Sequence, residues 1–124
     1  MIIKILLLCF GLHFFADFNL QGILAQFKQK EFWKKNAPQK LYETDWAISM
    51  LCHSAYWALV TFAPVIYLWR GRGLGLVLLL FANILIHAAV DDLKANARKI
   101  NLVDDQLLHF MQIVATVIFS ALWW

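Results

Sequence analysis

The chain has 124 residues, of which 62% are hydrophobic and 15% charged, with a formal net charge of +3. So apolar a balance excludes an ordinary soluble domain, and at roughly 20 residues per spanning helix the length holds about four spans and excludes a separate soluble domain. The positive charge does not indicate a nucleic-acid site, because the lysines and arginines fall between apolar segments, where they act as topology signals.

The first apolar run extends from about residue 2 to 26. Its start, MIIKILLLCF, has the basic residue and apolar stretch of a signal peptide, but the run continues through His13 and Asp17 without a small-residue cleavage site, so it is read as span one. Cys9 follows LLL rather than a small residue, which argues against lipoprotein processing. Cys9 and Cys52 both sit inside apolar segments without ligand-like spacing, and are expected to be buried, unreactive thiols. The next stretch, FKQKEFWKKNAPQKLYE, carries five lysines and Pro38 and predicts a loop with an interfacial helical turn.

Span two is expected over 44–69, and RGRG at 70–73 breaks the chain before span three at 74–93. KANARK follows as a short polar connection. Asn101 or Asp104 is placed to cap span four, 102–122, and Trp123 and Trp124 have the character of interface anchors. The expectation is a single all-α transmembrane domain over 1–124, a four-helix bundle with short loops. Eight basic residues (Lys28, Lys30, Lys34, Lys35, Lys40, Lys94, Arg98, Lys99) lie in or beside the first and third loops, and three (Lys4, Arg70, Arg72) lie toward the other side. The positive-inside rule puts the first and third loops in the cytoplasm and both termini on the non-cytoplasmic side.

The polar residues inside the spans form a pattern. In span one His13, Asp17 and Gln21 recur every four residues, on one helical stripe. In span three His87 and Asp91 repeat the step with Lys94 one turn further, while in span four Asp105 and His109 make it in reverse order, with Gln106 and Gln112 close by. Spans one and three descend toward the cytoplasm and span four ascends from it. In all three, therefore, the carboxylate lies nearer that surface and the histidine about 6 Å deeper. His53 stands alone in span two. HFFAD and HAAVD share His-x-x-x-Asp, which is too short to establish an internal repeat.

The histidines lie ten to fifteen residues from the flanking loop lysines, so straight helices set all four at related depths. Ionisable groups inside a bilayer cost about 2.5 kcal/mol or more each, and normally face the interior and mark a site. Imidazoles and carboxylates at this spacing suit Zn²⁺ or another divalent ion. The expected metal ligands are His13, His53, His87, Asp91, Asp105 and His109, with Asp17, Asp91 and Asp105 as candidate catalytic carboxylates. Gln21, Lys94 and Gln106 are candidates for holding substrate. The competing reading is a metal-free hydrogen-bonded network in which His–Asp pairs cross between helices and Asp91 pairs with Lys94. Phe14, Phe15, Trp57, Phe62 and Phe110 read as lipid-facing or packing groups. Gly71 and Gly73 read as turn residues.

At these same residues the sequence resembles a family of small bacterial and phage membrane proteins of unknown function, marked by an HFxADFxLQ segment, a histidine in the second span, HxxxDxxK and DQLLH. They stand here as His13 to Gln21, His53, His87 to Lys94, and Asp105 to His109, and cover nearly the whole chain. The resemblance implies a multi-pass protein of the bacterial inner membrane and brings no activity with it. The His-rich four-span layout is also similar, in architecture alone, to membrane-bound metal-dependent hydrolases. The sequence thus points to a metal-binding membrane protein, a metal-dependent hydrolase of a lipid or lipid-linked substrate at the cytoplasmic leaflet. The alternatives are a homo-oligomeric proton or cation transporter or channel and a non-catalytic scaffold.

Overall fold

The computed structural model describes residues 1–123; Trp124, one of the two expected interface anchors, lies outside the described residues. The described chain is all-α, with seven α-helices, one π-helical segment, one 3-10 turn and no strand. A run of leucine, isoleucine and phenylalanine builds α1 (Ile2–Phe14), which continues without interruption as the π-helical segment Phe15–Leu20. It stops at Gln21, whose side-chain amide donates to the Asp17 carbonyl, and at Gly22, which takes a φ of +51° that a side chain would resist. Span one therefore ends at Leu20 rather than residue 26, and residues beyond the turn form the separate short helix α2 (Leu24–Phe27).

The lysine-rich stretch contains α3 (Lys30–Asn36) and the 3-10 turn Lys40–Tyr42. Span two, expected as one helix, is α4 (Asp45–Thr61) and α5 (Ala63–Trp69), bent by 65° at Phe62. Pro64 is the cause: its nitrogen has no hydrogen to give the Val60 carbonyl, and its ring crowds that group. α6 (Gly73–Ala95) and α7 (Leu102–Leu122) follow. Asn101 and Asp104 together make the cap of α7, the Asn101 side chain accepting from the backbone of Val103 and Asp104 while Asp104 accepts from the backbone of Asn101.

Three stretches, Ile2–Leu20, Gly73–Ala95 and Leu102–Leu122, are long and apolar enough to cross a membrane, and the bent α4–α5 pair makes up to four. α4 packs on α1 and α6, and α7 packs on the same two helices, so these four elements enclose an interior. The distribution of polarity is inverted relative to a water-soluble protein: Leu7, Leu8, Val77, Leu78, Leu85 and Met111 face outward, while four histidines and two aspartates are buried. An apolar cluster that includes Cys9, Trp57, Phe62, Val65, Ile113 and Val117 fills part of the interior. Of the two thiols expected to be buried, only Cys9 is; Cys52 is exposed.

The first and third loops meet at one end. The Lys30 backbone N–H donates to Asn96 Oδ1 at 2.8 Å, and Asn96 Nδ2 donates to the Lys28 carbonyl at 3.1 Å. This common end carries most of the lysines and is the basic end of the molecule. Replacing the cap, Asn101→Ala, orphans two backbone donors at the start of α7 and is expected to lower stability by about 1 kcal/mol. Denaturant titration in detergent micelles measures it, and an unchanged midpoint would show that the cap does not hold the helix start.

Candidate metal centre

Each of the four enclosing elements contributes one histidine. His13 comes from α1, His53 from α4, His87 from α6 and His109 from α7, and all four are fully buried. The imidazoles occupy one layer: ring centroids are 5.2 Å apart for His53 and His87, 4.2 Å for His87 and His109, and 5.7 Å for His13 and His109. Asp17 enters from the π-helical segment, whose wider turn alters the simple four-residue register and leaves the carboxylate between His13 (3.6 Å) and His53 (3.6 Å).

The donors converge on the Asp91 carboxylate. His53 Nε2 and His87 Nε2 are 3.2 Å apart, and they lie 3.3 Å and 3.7 Å from Asp91 Oδ2. His109 Nε2 lies 3.3 Å from Asp91 Oδ1 and 3.6 Å from Asp105 Oδ1. A four-coordinate ion with donors at about 2.0–2.1 Å keeps neighbouring donors roughly 3.3 Å apart, so these spacings are those of a set that can surround an ion. Two groups of three have the proximity to hold one, Asp17–His53–His87 and His87–Asp91–His109.

Ring orientation separates the two groups. His87 lies near parallel to Trp57 (4.0 Å, 18° between planes) and to His109 (4.2 Å, 27°), which are themselves 5.6 Å apart. Nearly parallel stacked rings direct their in-plane lone pairs side by side, which does not suit a shared ion. His53 and His87 are inclined by 51°, and Asp17 Oδ1 beside them is buried without a hydrogen-bond partner among the described residues. The Asp17–His53–His87 group, with Asp91 Oδ2 adjoining it, is the better cradle. His109 hydrogen-bonds to Asp91 instead.

His13 and Asp105, counted as ligands from the sequence, fall outside both groups. His13 Nδ1 accepts from Trp57 Nε1 at 2.9 Å, so its proton sits on Nε2 and is donated to Gln106 Oε1 at 3.1 Å. Gln106 Nε2 donates onward to Asp105 Oδ2 at 3.0 Å. Both nitrogens of His13 are thus engaged. Trp57, expected to be packing or lipid-facing, is fully buried and joins His13 to the His87 stack; it lies four residues after His53, the one signal in the sequence that sets it on the same face.

Two lysines close the basic side of the layer. Lys94 pairs with Asp105, not with Asp91 as the helical spacing predicts, because Asp91 is taken by Lys28. Lys28, which counts as a loop cation in the sequence, is only 5% exposed. The turn at Gly22 and the cap from Asn96 to the Lys28 carbonyl fold it inward over the site. Nothing in local sequence separates it from the other lysines of the loop. The one signal for it in the sequence is the imbalance of three carboxylates in an apolar layer with a single cation, Lys94, on the same helices.

A cavity of about 400 Å³ opens at this end and is lined by Asp17, Gln21, Lys28, Asp91, Lys94 and Gln106 among others. It reaches Asp17 and Asp91 and gathers the three residues expected to hold substrate. A larger cavity, about 490 Å³, lies apart from the histidines, between α3 and the start of α4. Neither a family model, nor a curated protein, nor a solved structure matches the chain.

Lys28→Met leaves the buried Asp91 charge without its cation and is expected to destabilise by about 3–5 kcal/mol, whereas Lys28→Met/Asp91→Asn removes both charges and is expected to recover much of that loss. A double-mutant cycle by unfolding in detergent measures the coupling, and strictly additive losses would show that the two groups do not support one another.

Proposed function

We propose that the protein is a multi-pass membrane enzyme whose His/Asp centre binds a divalent metal, Zn²⁺ first among them, and hydrolyses a lipid or lipid-linked substrate entering at the cytoplasmic leaflet. The observation that carries this reading is the convergence of His53 Nε2, His87 Nε2 and the partnerless Asp17 Oδ1, at separations of 3.2 Å and 3.6 Å, inside an apolar helix packing. Imidazole and carboxylate donors suit Zn²⁺, and three protein ligands leave a position for water. When bound, such an ion lowers the pKa of its water to about 7.

In this reading Asp17, His53 and His87 hold the metal, with Asp91 as an adjoining donor that Lys28 neutralises. His13 and Trp57 are positioning residues, the one fixing Gln106 and Asp105, the other the plane of His87. Asp105, with Oδ1 buried and unpartnered and the mouth residues Lys94 and Gln106 on its other oxygen, takes the proton. Gln21, Lys94 and Gln106 face the polar head of the substrate, whose chains stay in the bilayer. The fold proposed around this centre is a four-span bundle of the bacterial inner membrane with both termini outside.

Protein purified in detergent without chelator is expected to contain about one metal ion per chain, and Asp17→Ala and His53→Ala to lose it. His13→Ala is expected to keep the site with affinity lowered about 10- to 100-fold, as a residue acting through its neighbours does. Less than about 0.2 ion per wild-type chain would refute metal binding, given the tight binding such donors give. Loaded protein is then expected to cleave a lipid phosphoester in mixed micelles, and Asp105→Asn to stop cleavage while retaining metal.

One observation favours a second reading. A buried polar stripe runs almost the whole length of α7, through Asp105, His109, Gln112, Thr116 and Ser120, and Asn83 on α6 bonds to Gln112 and Thr116. Such a stripe continues beyond the histidine layer and suits proton or cation movement through a homo-oligomer. Flux into proteoliposomes that is abolished by Asp91→Asn would establish it over hydrolysis.

A further inference from the structure

The cavity of about 490 Å³ at the basic end belongs to no part of the His/Asp centre. Its walls are Lys30, Lys34 and Lys40 with Trp33, Tyr42 and Trp46, and Glu43 is the one carboxylate among its lining residues. α3 supplies one wall, and the 3-10 turn and the first turn of α4 supply the other. The two aromatic walls are tied together: Trp33 and Tyr42 lie near parallel at 6.2 Å, and Trp33 Nε1 donates to the Phe27 carbonyl at 2.7 Å, which fixes the indole. Lys30 Nζ sits 4.0 Å from the centre of the Trp46 ring, so this ammonium is held at the wall and not left to wander in solvent. A second cavity of about 390 Å³ shares Lys30 and Lys34 and adds Arg98, with Glu31 as its carboxylate.

Lys34 meets Glu31 at 3.2 Å and Lys30 lies 3.9 Å from Asp92, but both pairs are solvent-exposed and so weakly held, and Lys40 has no carboxylate partner among the described residues. A lining of three such lysines and one carboxylate suits an anionic ligand, and three aromatic rings of amphipathic character suit one that lies at a membrane–water boundary. The apolar surroundings decide between a soluble anion and a lipid. Leu41, inside the turn that forms the wall, is 77% exposed, and Ile48, two residues beyond Trp46, is 61% exposed. Side chains of this kind beside a lysine pocket belong at the level where headgroups give way to acyl chains.

We propose that this cavity binds the headgroup of an anionic phospholipid, its phosphate among Lys30, Lys34 and Lys40, its glycerol region against Trp33, Tyr42 and Trp46, and its chains along the outer face of α4. The lipid is a structural partner that holds the loop between spans one and two on the membrane surface. It is separate from the proposed substrate, and it needs no metal.

The test is native mass spectrometry of the full-length protein released from nanodiscs holding equal amounts of phosphatidylglycerol and phosphatidylcholine. The wild-type protein is expected to retain phosphatidylglycerol preferentially, and Lys30→Gln, Lys34→Gln and Lys40→Gln each to lower that preference about fivefold. Lys35→Gln/Lys99→Gln removes two charges of the same end from outside the cavity and is expected to leave the preference unchanged. Trp46→Leu, which keeps every lysine, is expected to weaken it. Equal retention of the two lipids by the wild type would overturn the proposal, as would an equal loss in the Lys35/Lys99 control, which would mean diffuse surface charge. Displacement of the lipid by millimolar glycerol phosphate would show that the site takes a soluble phosphate ester instead. All the substituted lysines lie on the surface, so folding of these variants is checked by their unchanged elution as a detergent complex.

Discussion

The Asp91 carboxylate is the group around which the interior is arranged. It accepts the Lys28 ammonium on one oxygen, faces His53 and His87 on the same side, and meets His109 with its other oxygen. A carboxylate in such a place cannot be left alone, because removing a charge from water inside an apolar assembly costs several kcal/mol that only close, well-oriented partners offset. Each enclosing element therefore has to present something to this layer. α1 presents His13, the π-helical segment Asp17, α4 His53, α6 His87 and α7 His109, and the lysine that neutralises Asp91 arrives from outside the spans.

Departures from regular helix make this convergence achievable. The π-helical turn moves Asp17 between two histidines on different helices, and Gly22 then redirects the chain so that Lys28 returns over the site. Pro64 bends α5 away at the opposite end of α4, leaving Trp57 and Phe62 packed against one another at 5.6 Å beneath the histidines. These irregularities come where the chain must serve a layer that no set of straight helices would supply with both ligands and counter-charges.

The interior is polar along more than the histidine layer. Below it, Gln112 and Thr116 of α7 bond to Asn83 of α6, which fixes the two longest helices side by side through hydrogen bonds, where apolar packing gains little over lipid contact. Above it, the Lys28 and Lys94 pairs and the cavity beside them give Asp17 and Asp91 a polar approach. The long helices expose mostly apolar side chains, so the site and the apolar surface are opposite faces of the same few elements.

Much of this was legible in the linear pattern. Hydropathy and length determine the all-α class and the order of the apolar segments, and the four-residue steps from His13, His87 and Asp105 place the ionisable groups on inward stripes whose depths agree. Periodicity carries that information because a helix turns a spacing into a face. Tertiary structure alone decided the rest. His53, which has no carboxylate on its own helix, gains its place from Asp17 and Asp91 across the interface, and His13, which has one, is drawn to Trp57 and Gln106. Lys28 leaves the loop to neutralise Asp91, 63 residues away, and Lys94 is left to Asp105. A side chain's partners depend on which faces of separate helices meet, and that is set by turns at Gly22 and Pro64 and by competition among carboxylates for few cations, neither of which a local spacing contains.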